Sequence, residues 1–121
     1  MRILLVDDHT LVRQTLARVL SGEADIEVVG EAATGEQAIA LTRQLLPDVV
    51  LLDVSMPGIG GTEATRRIHA ECPGVRVIGL SMYDEAEQAQ AMREAGAMGY
   101  LDKTCSADIL LAAIRGSLDR Q

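Results

Sequence analysis

Three acids stand where apolar runs end. Ile3-Leu4-Leu5-Val6 leads into Asp7-Asp8, and Val49-Val50-Leu51-Leu52 leads into Asp53, after which the chain breaks at Met56-Pro57-Gly58. Two more apolar runs end in functional groups, one in Ser81 and one in Asp102-Lys103. Of the 11 basic residues, Lys103 is the only lysine and the other ten are arginine. Carboxylates, a hydroxyl and an ammonium together suit a hard cation and phosphoryl chemistry. Mg²⁺ takes oxygen ligands, commonly one or two carboxylates with phosphate oxygens and water. On this reading Asp8 and Asp53 are direct ligands and Asp7 acts through water. A carboxylate beside the ion can attack phosphorus and form an aspartyl phosphate. Such transfer is mainly positioning and neutralisation of the equatorial oxygens. Lys103 would neutralise one of them and the Ser81 hydroxyl would donate to another.

Taken singly, each residue has an ordinary explanation. Asp8 could cap a following helix, and a lysine after a strand is usually a solvated end. Jointly the ordinary explanation weakens, because clustered acids repel one another unless positive charge sits among them. Neither His9 nor His69 has a partner at ligand spacing, which disfavours a transition metal; both are expected to face solvent. Nucleotide motifs are absent: there is no G-x-x-x-x-G-K-[ST], and Gly58-Ile59-Gly60-Gly61 lacks the Rossmann spacing. A phosphoryl group must therefore arrive on another protein or on a small donor.

The elements that must position these groups alternate. Strands are expected at 3–6, 26–29, 49–52, 75–80 and around 98–101, several of them apolar throughout, as in a sheet covered on both faces. Between them run helical patterns. Val12, Leu16, Val19 and Leu20 form a stripe that stops at Ser21-Gly22, and Thr34 with Gln37 reads as a capping box before Ala38, Leu41 and Leu45. Pro47 closes that helix. A weaker helix covers 62–71, Asp84 with Glu87 caps a fourth, and Ser106 caps a fifth with Ile109, Ala113 and Ile114 inward. Five strand–helix repeats imply an α/β, doubly wound, five-stranded parallel sheet. The flavodoxin-like order 2-1-3-4-5 is the best choice, although the pattern alone does not dictate it. In such a sheet ligands bind beyond the carboxyl ends of the strands, where all the groups named above fall.

The totals agree with one domain over residues 1–121. Hydrophobic residues make up 48% and charged ones 24%, and the core must do without Trp or Phe. A formal charge of −7 argues against direct nucleic-acid binding. No apolar run nears the roughly 20 residues of a membrane helix, and the N-terminus does not read as a signal peptide, so a cytoplasmic location is expected. Cys72 and Cys105 have no metal-like spacing and read as incidental thiols.

The stretches ILLVDDH, PDVVLLDVSMPGIGG, VIGLSMYDE and AGAMGYLDK resemble the receiver domain of bacterial two-component response regulators, in the flavour that precedes a LuxR-type helix-turn-helix domain (the NarL/FixJ type). The resemblance covers essentially the whole chain. It implies a CheY-like (βα)5 fold with Asp53 as phosphoacceptor. It also implies that Asp7, Asp8, Asp53 and the Ser55 backbone carbonyl hold Mg²⁺. Lys103 is then the phosphate-pairing lysine, Ser81 the switch hydroxyl and Tyr100 the switch aromatic, while Ser55 and Tyr83 tune dephosphorylation. A histidine kinase would supply the phosphoryl group, and the surface of the fourth helix, fifth strand and fifth helix would be remodelled. The domain would act on itself and on no separate substrate.

Asp102 departs from the family pattern: it puts a negative charge beside Lys103, which either weakens the lysine's grip on phosphate or points away. No helix-turn-helix is present, so the output domain of a transcription regulator would lie outside this chain. A terminal receiver of a hybrid sensor kinase in a phosphorelay is the alternative context, and the oligomeric state, a homodimer included, is open. Two other classes fit the residues less well. A haloacid-dehalogenase-type phosphohydrolase needs a second acid two residues after its nucleophile, where this chain has Ser55. A receiver-like module that is never phosphorylated would be expected to have lost the acids or the lysine.

Overall fold

The computed structural model describes residues 1–56, 58–82 and 86–116. The elements alternate strictly: β1 (Arg2–Val6), α1 (Thr10–Ser21), β2 (Glu27–Ala32), α2 (Gly35–Leu45), β3 (Val49–Asp53), α3 (Gly60–Glu71), β4 (Arg76–Ser81), α4 (Ala86–Glu94), β5 (Gly99–Asp102) and α5 (Ala107–Gly116). The five strands are all parallel, in the order β2-β1-β3-β4-β5. Among the described residues no helix is long and apolar enough to cross a membrane.

Strand side chains point alternately to the two faces of a sheet, and here both faces are covered. Leu4, Val6, Val50, Leu52 and Val77 join Ala38 and Ile39 of α2, Ala64 and Ile68 of α3, and Met92 of α4. Ile3, Leu5, Val49, Leu51 and Ile78 meet Leu20 of α1 and Leu110, Leu111 and Ile114 of α5 on the other side. This division explains the uninterrupted apolar runs. It also fits right-handed crossovers, since the one step leftward in the sheet, β1 to β2, puts its helix on the opposite face from the rightward steps. Strand order reverses between β1 and β3, so the crevice expected of such folds opens at their carboxyl ends.

Local chemistry sets several boundaries. Thr34 Oγ1 accepts from the Gln37 amide at 3.1 Å, and Gln37 Oε1 accepts from the Ala33 amide at 2.9 Å, one residue earlier than in a standard capping box. Leu46 ends α2 in the left-handed conformation (φ 46°), and the right-handed α region is disfavoured there by Pro47. Ser106 Oγ accepts from the Ile109 amide at 3.2 Å.

Some expectations need correction. Ile109 is 54% exposed: with Ser106 capping, the inward stripe of α5 is Leu110, Leu111 and Ile114, and Ile109 falls outside it. Helix α3 begins at Gly60 rather than at residue 62, and β4 and β5 each run one residue later, taking in Ser81 and Asp102. Strand β2 continues to Ala32, past a register irregularity opposite Ile3/Leu4. Asp84 lies outside the described residues.

Gly61 seats α3 against the end of β3. A Cβ there would stand 2.5 Å from Val54 Cα and 2.8 Å from the Asp53 carbonyl oxygen, both backbone atoms that cannot swing aside. Gly61→Ala is expected to lower unfolding free energy by about 2 kcal/mol in urea titration. Gly74→Ala, with nothing within 4 Å of the added atom, should change it by less than about 0.5 kcal/mol.

Candidate functional site

The site is assembled by the backbone of the central strands. Asp53 is the last residue of β3 and is 0% exposed. Its Oδ1 accepts from the Ser55 amide at 2.9 Å, which fixes the carboxylate at the strand end. Asp7 follows β1; its amide donates to the Ala32 carbonyl at 3.0 Å, and its Oδ1 accepts from the His9 amide at 2.9 Å. Lys103 follows β5, and its amide donates to the Ser81 carbonyl at 2.8 Å. Its long stem then carries the ammonium back across the sheet. Nζ lies 2.8 Å from Asp7 Oδ2 and 3.1 Å from Asp53 Oδ2, with only 6% of the side chain exposed.

These two carboxylate oxygens are buried and within ion-pair reach of Lys103, yet neither accepts a well-directed hydrogen bond. Asp8 completes the group at the solvent side, with 32% of its side chain exposed. Donor atoms of Asp7, Asp8, His9 and Asp53 all lie within 4.8 Å of one another. His9 is the residue that the sequence reading set aside. Its ring is 66% exposed, as expected, but Nδ1 sits 3.1 Å from Asp7 Oδ1 and 3.2 Å from Asp8 Oδ1. Only the turn at Asp7 brings it there, and no spacing in the sequence encodes that turn.

The remaining predicted residues are more dispersed. Ser81 is buried at the end of β4, beside the acids in the sheet order. Tyr100 is half-buried in β5 and does not reach the carboxylates. Its hydroxyl donates to Gln88 Oε1 of α4 at 3.3 Å, and its ring lies beside Gly79. Ser55 touches the site through its amide, whereas Tyr83 lies outside the described residues. Asp102 turns away: its Oδ1 accepts from both the amide and the hydroxyl of Thr104, each at 2.7 Å. Those bonds hold its carboxyl below the ordinary carboxylate range and aim it at Thr104, while Lys103 pairs with Asp7 and Asp53. His69 is exposed, as expected, and its ring covers Gly96.

Burial and charge divide the two inner acids. Burial pushes the Asp53 carboxyl above its ordinary range and the Asp7 charge adds to this, against the Ser55 amide and Lys103. Burial opposes ionisation of Asp7 as well, but Lys103 and the His9 amide outweigh it and its carboxyl titrates low. Burial would likewise lower Lys103, yet the two carboxylates hold its ammonium above the ordinary value. The centre therefore has an ionised Asp7–Lys103 pair with a second, strained acid beside it.

Residues 3–115 match the family model of the response regulator receiver domain. The chain belongs to this family. As a receiver domain it is 42% identical over 114 residues to the response regulator GacA of Pseudomonas aeruginosa, an alignment covering 94% of this chain and 53% of that protein. It is 38% identical to a two-component response regulator of the LuxR family from Aurantimonas sp. SI85-9A1, whose crystal structure superposes with a TM-score of 0.93 over 98% of this chain and 84% of that one. A CheY-like receiver domain protein from Methanospirillum hungatei JF-1 superposes with a TM-score of 0.88 at 30% identity, covering 98% and 93%. The receiver spans about half the length of the curated relatives it matches.

The raised Asp53 value has a consequence of definite sign. An acid whose folded-state pKa exceeds its unfolded one destabilises the fold fully above the folded value; the penalty shrinks as pH falls below that value and is gone below the unfolded one. In metal-free buffer at pH 7, Asp53→Asn is expected to melt above wild type, since it removes the buried charge without changing the shape. The gap should close as the pH is lowered towards the ordinary Asp range. A variant melting at or below wild type at pH 7 would contradict the assignment.

Proposed function

We propose that this receiver is a phosphorylation-driven switch in two-component signalling, with Asp53 as the acceptor of a phosphoryl group from a histidine kinase. The observation that carries the reading is the Lys103 ammonium, buried between Asp7 and Asp53 at the carboxyl edge of the sheet, in a chain of the receiver family.

The donor set fits Mg²⁺. It offers carboxylate oxygens of Asp7, Asp8 and Asp53 gathered within 4.8 Å of one another, and hard divalent ions take oxygen ligands. Asp7, Asp8 and Asp53 would hold the ion together with the Ser55 carbonyl. When bound, Mg²⁺ neutralises oxygens of the transferring phosphoryl group. An Asp53 oxygen attacks phosphorus; the P–N bond to the donor imidazole breaks, and the departing nitrogen keeps the electron pair and takes up a proton. Lys103 then has a phosphate oxygen to pair with in place of the lost Asp53 charge. The Ser81 hydroxyl donates to another oxygen.

The same contacts give a route to the surface. The Ser81 carbonyl holds the Lys103 amide, so movement of Ser81 towards phosphate is felt in β5. An inward turn of Tyr100 would give up its bond to Gln88 and so loosen one tie between β5 and α4. A groove of about 340 Å³ between α4, β5 and α5, lined by Arg93, Met98, Tyr100 and Ala113 among others, is reshaped by that movement. Ser55 and Tyr83 would tune dephosphorylation. The output that reads this surface would be a LuxR-type helix-turn-helix domain outside the chain, making the whole protein a transcription regulator.

Acetyl phosphate with Mg²⁺ should add a single labile phosphoryl group, seen by intact-mass measurement. It should be absent in Asp53→Asn and when metal is omitted. No adduct under any phosphorylating condition would refute the switch, and rapid multiple turnover of the donor would point to a phosphohydrolase. Millimolar Mg²⁺ should also raise the melting temperature, since it binds only the folded acid cluster.

A further inference from the structure

Arg13 lies in the N-terminal part of α1, where a cation opposes the positive end of the helix dipole. Its side chain nevertheless stays close to the body of the protein, only 16% exposed. Its guanidinium turns back from the helix to the loop carrying the acid pair. Nη1 donates to the Asp7 carbonyl oxygen. Nε donates to Glu31 Oε1 of β2 at 3.1 Å, and Nη2 reaches Thr10 Oγ1 at 3.4 Å. The Arg13 amide also donates to the His9 carbonyl at 3.1 Å. A pair with a half-exposed glutamate alone is worth little. The contact with Asp7 is different in kind, because that carbonyl belongs to the peptide joining Asp7 to Asp8. Asp7 is thereby held from both sides, its amide by Ala32 and its carbonyl by Arg13.

We infer that Arg13 is a positioning residue for the acid pair: by pinning the Asp7–Asp8 peptide it sets the relative placement of the two carboxylates, and so the affinity for a divalent cation. This rests on the Mg²⁺ site proposed above. Groups that orient metal ligands without touching the metal are worth about 10- to 100-fold in affinity.

The test is isothermal titration of Mg²⁺ into the full chain, with metal-free melting temperatures recorded in parallel. The variants are Arg13→Met, Arg13→Lys and Glu31→Gln. Arg43→Met serves as control, since it removes the surface pair with Glu71 on α2 and α3, away from the acids. Arg13→Met should weaken Mg²⁺ binding about tenfold, while Glu31→Gln and Arg43→Met stay within about twofold of wild type. Arg13→Lys, which keeps one donor for the carbonyl, should fall between. Wild-type affinity in Arg13→Met, or an equal loss in Glu31→Gln, overturns the inference. Should Arg13→Met fail to fold, Arg13→Lys against Glu31→Gln decides: a loss confined to Arg13→Lys supports it, and equal or no losses overturn it. Wild type that binds no Mg²⁺ overturns this inference and the functional reading together, whereas a wild type that binds, loses binding in Asp8→Asn and keeps it in Arg13→Met defeats the positioning role alone.

Discussion

The structure turns on an ammonium shared by two buried carboxylates. With all three acids ionised, the cluster of Asp7, Asp8, Asp53 and Lys103 carries two net negative charges, which one divalent cation would balance. Lys103 supplies enough positive charge for the chain to fold with Asp7 ionised, but not enough to settle Asp53, which burial holds in an unfavourable state. A fully satisfied acid would be a poor acceptor of anything. An arginine at 103 would bring a planar fork in place of a compact charge able to face two oxygens at once, which gives a physical reason for the one lysine in a chain otherwise rich in arginine.

The cost of this arrangement falls on the sheet, and the sheet is built to bear it. Strand β3 is buried from Val49 through Asp53, with a full apolar layer on each side. Glycine appears where elements must come closer than a side chain permits. Gly61 lets the start of α3 touch the Asp53–Val54 backbone, and Gly79 leaves room for the Met92 methyl and the Tyr100 ring. That second meeting point sets Tyr100 beside Met92 of α4, while its hydroxyl bonds Gln88 of the same helix.

Strand positions and the convergence of Asp7, Asp8, Asp53 and Lys103 were legible in the sequence. Runs buried on both faces are apolar without a break, and the residues just beyond them must share an edge once the strands are parallel. What was not legible depended on paths through loops or on close approach. Gly60 and Gly61 are poor helix formers, yet they begin α3 because the neighbouring backbone excludes a side chain at Gly61. The polar residues of β2, an edge strand, hid its last turns of ladder. Ile109 has the right residue type for a core and the wrong angle around its helix. His9 and Arg13 reach the acids only because the chain reverses after Asp7. A cation near the amino end of a helix was the available sign that Arg13 had some other partner.

Asp7, Val54 and Lys103 stand just past the strands by assignment, yet their amides continue the ladder, donating to Ala32, Leu80 and Ser81. Asp7, Asp53 and Lys103 are thus each mounted on, or next to, a rung of the sheet itself. Such rungs open only in the rarest fluctuations, those approaching complete unfolding. Slow hydrogen exchange is therefore expected at these three amides, which close the ladder next to the core. The acid–lysine cluster is thus carried by the same backbone bonds that hold the sheet together.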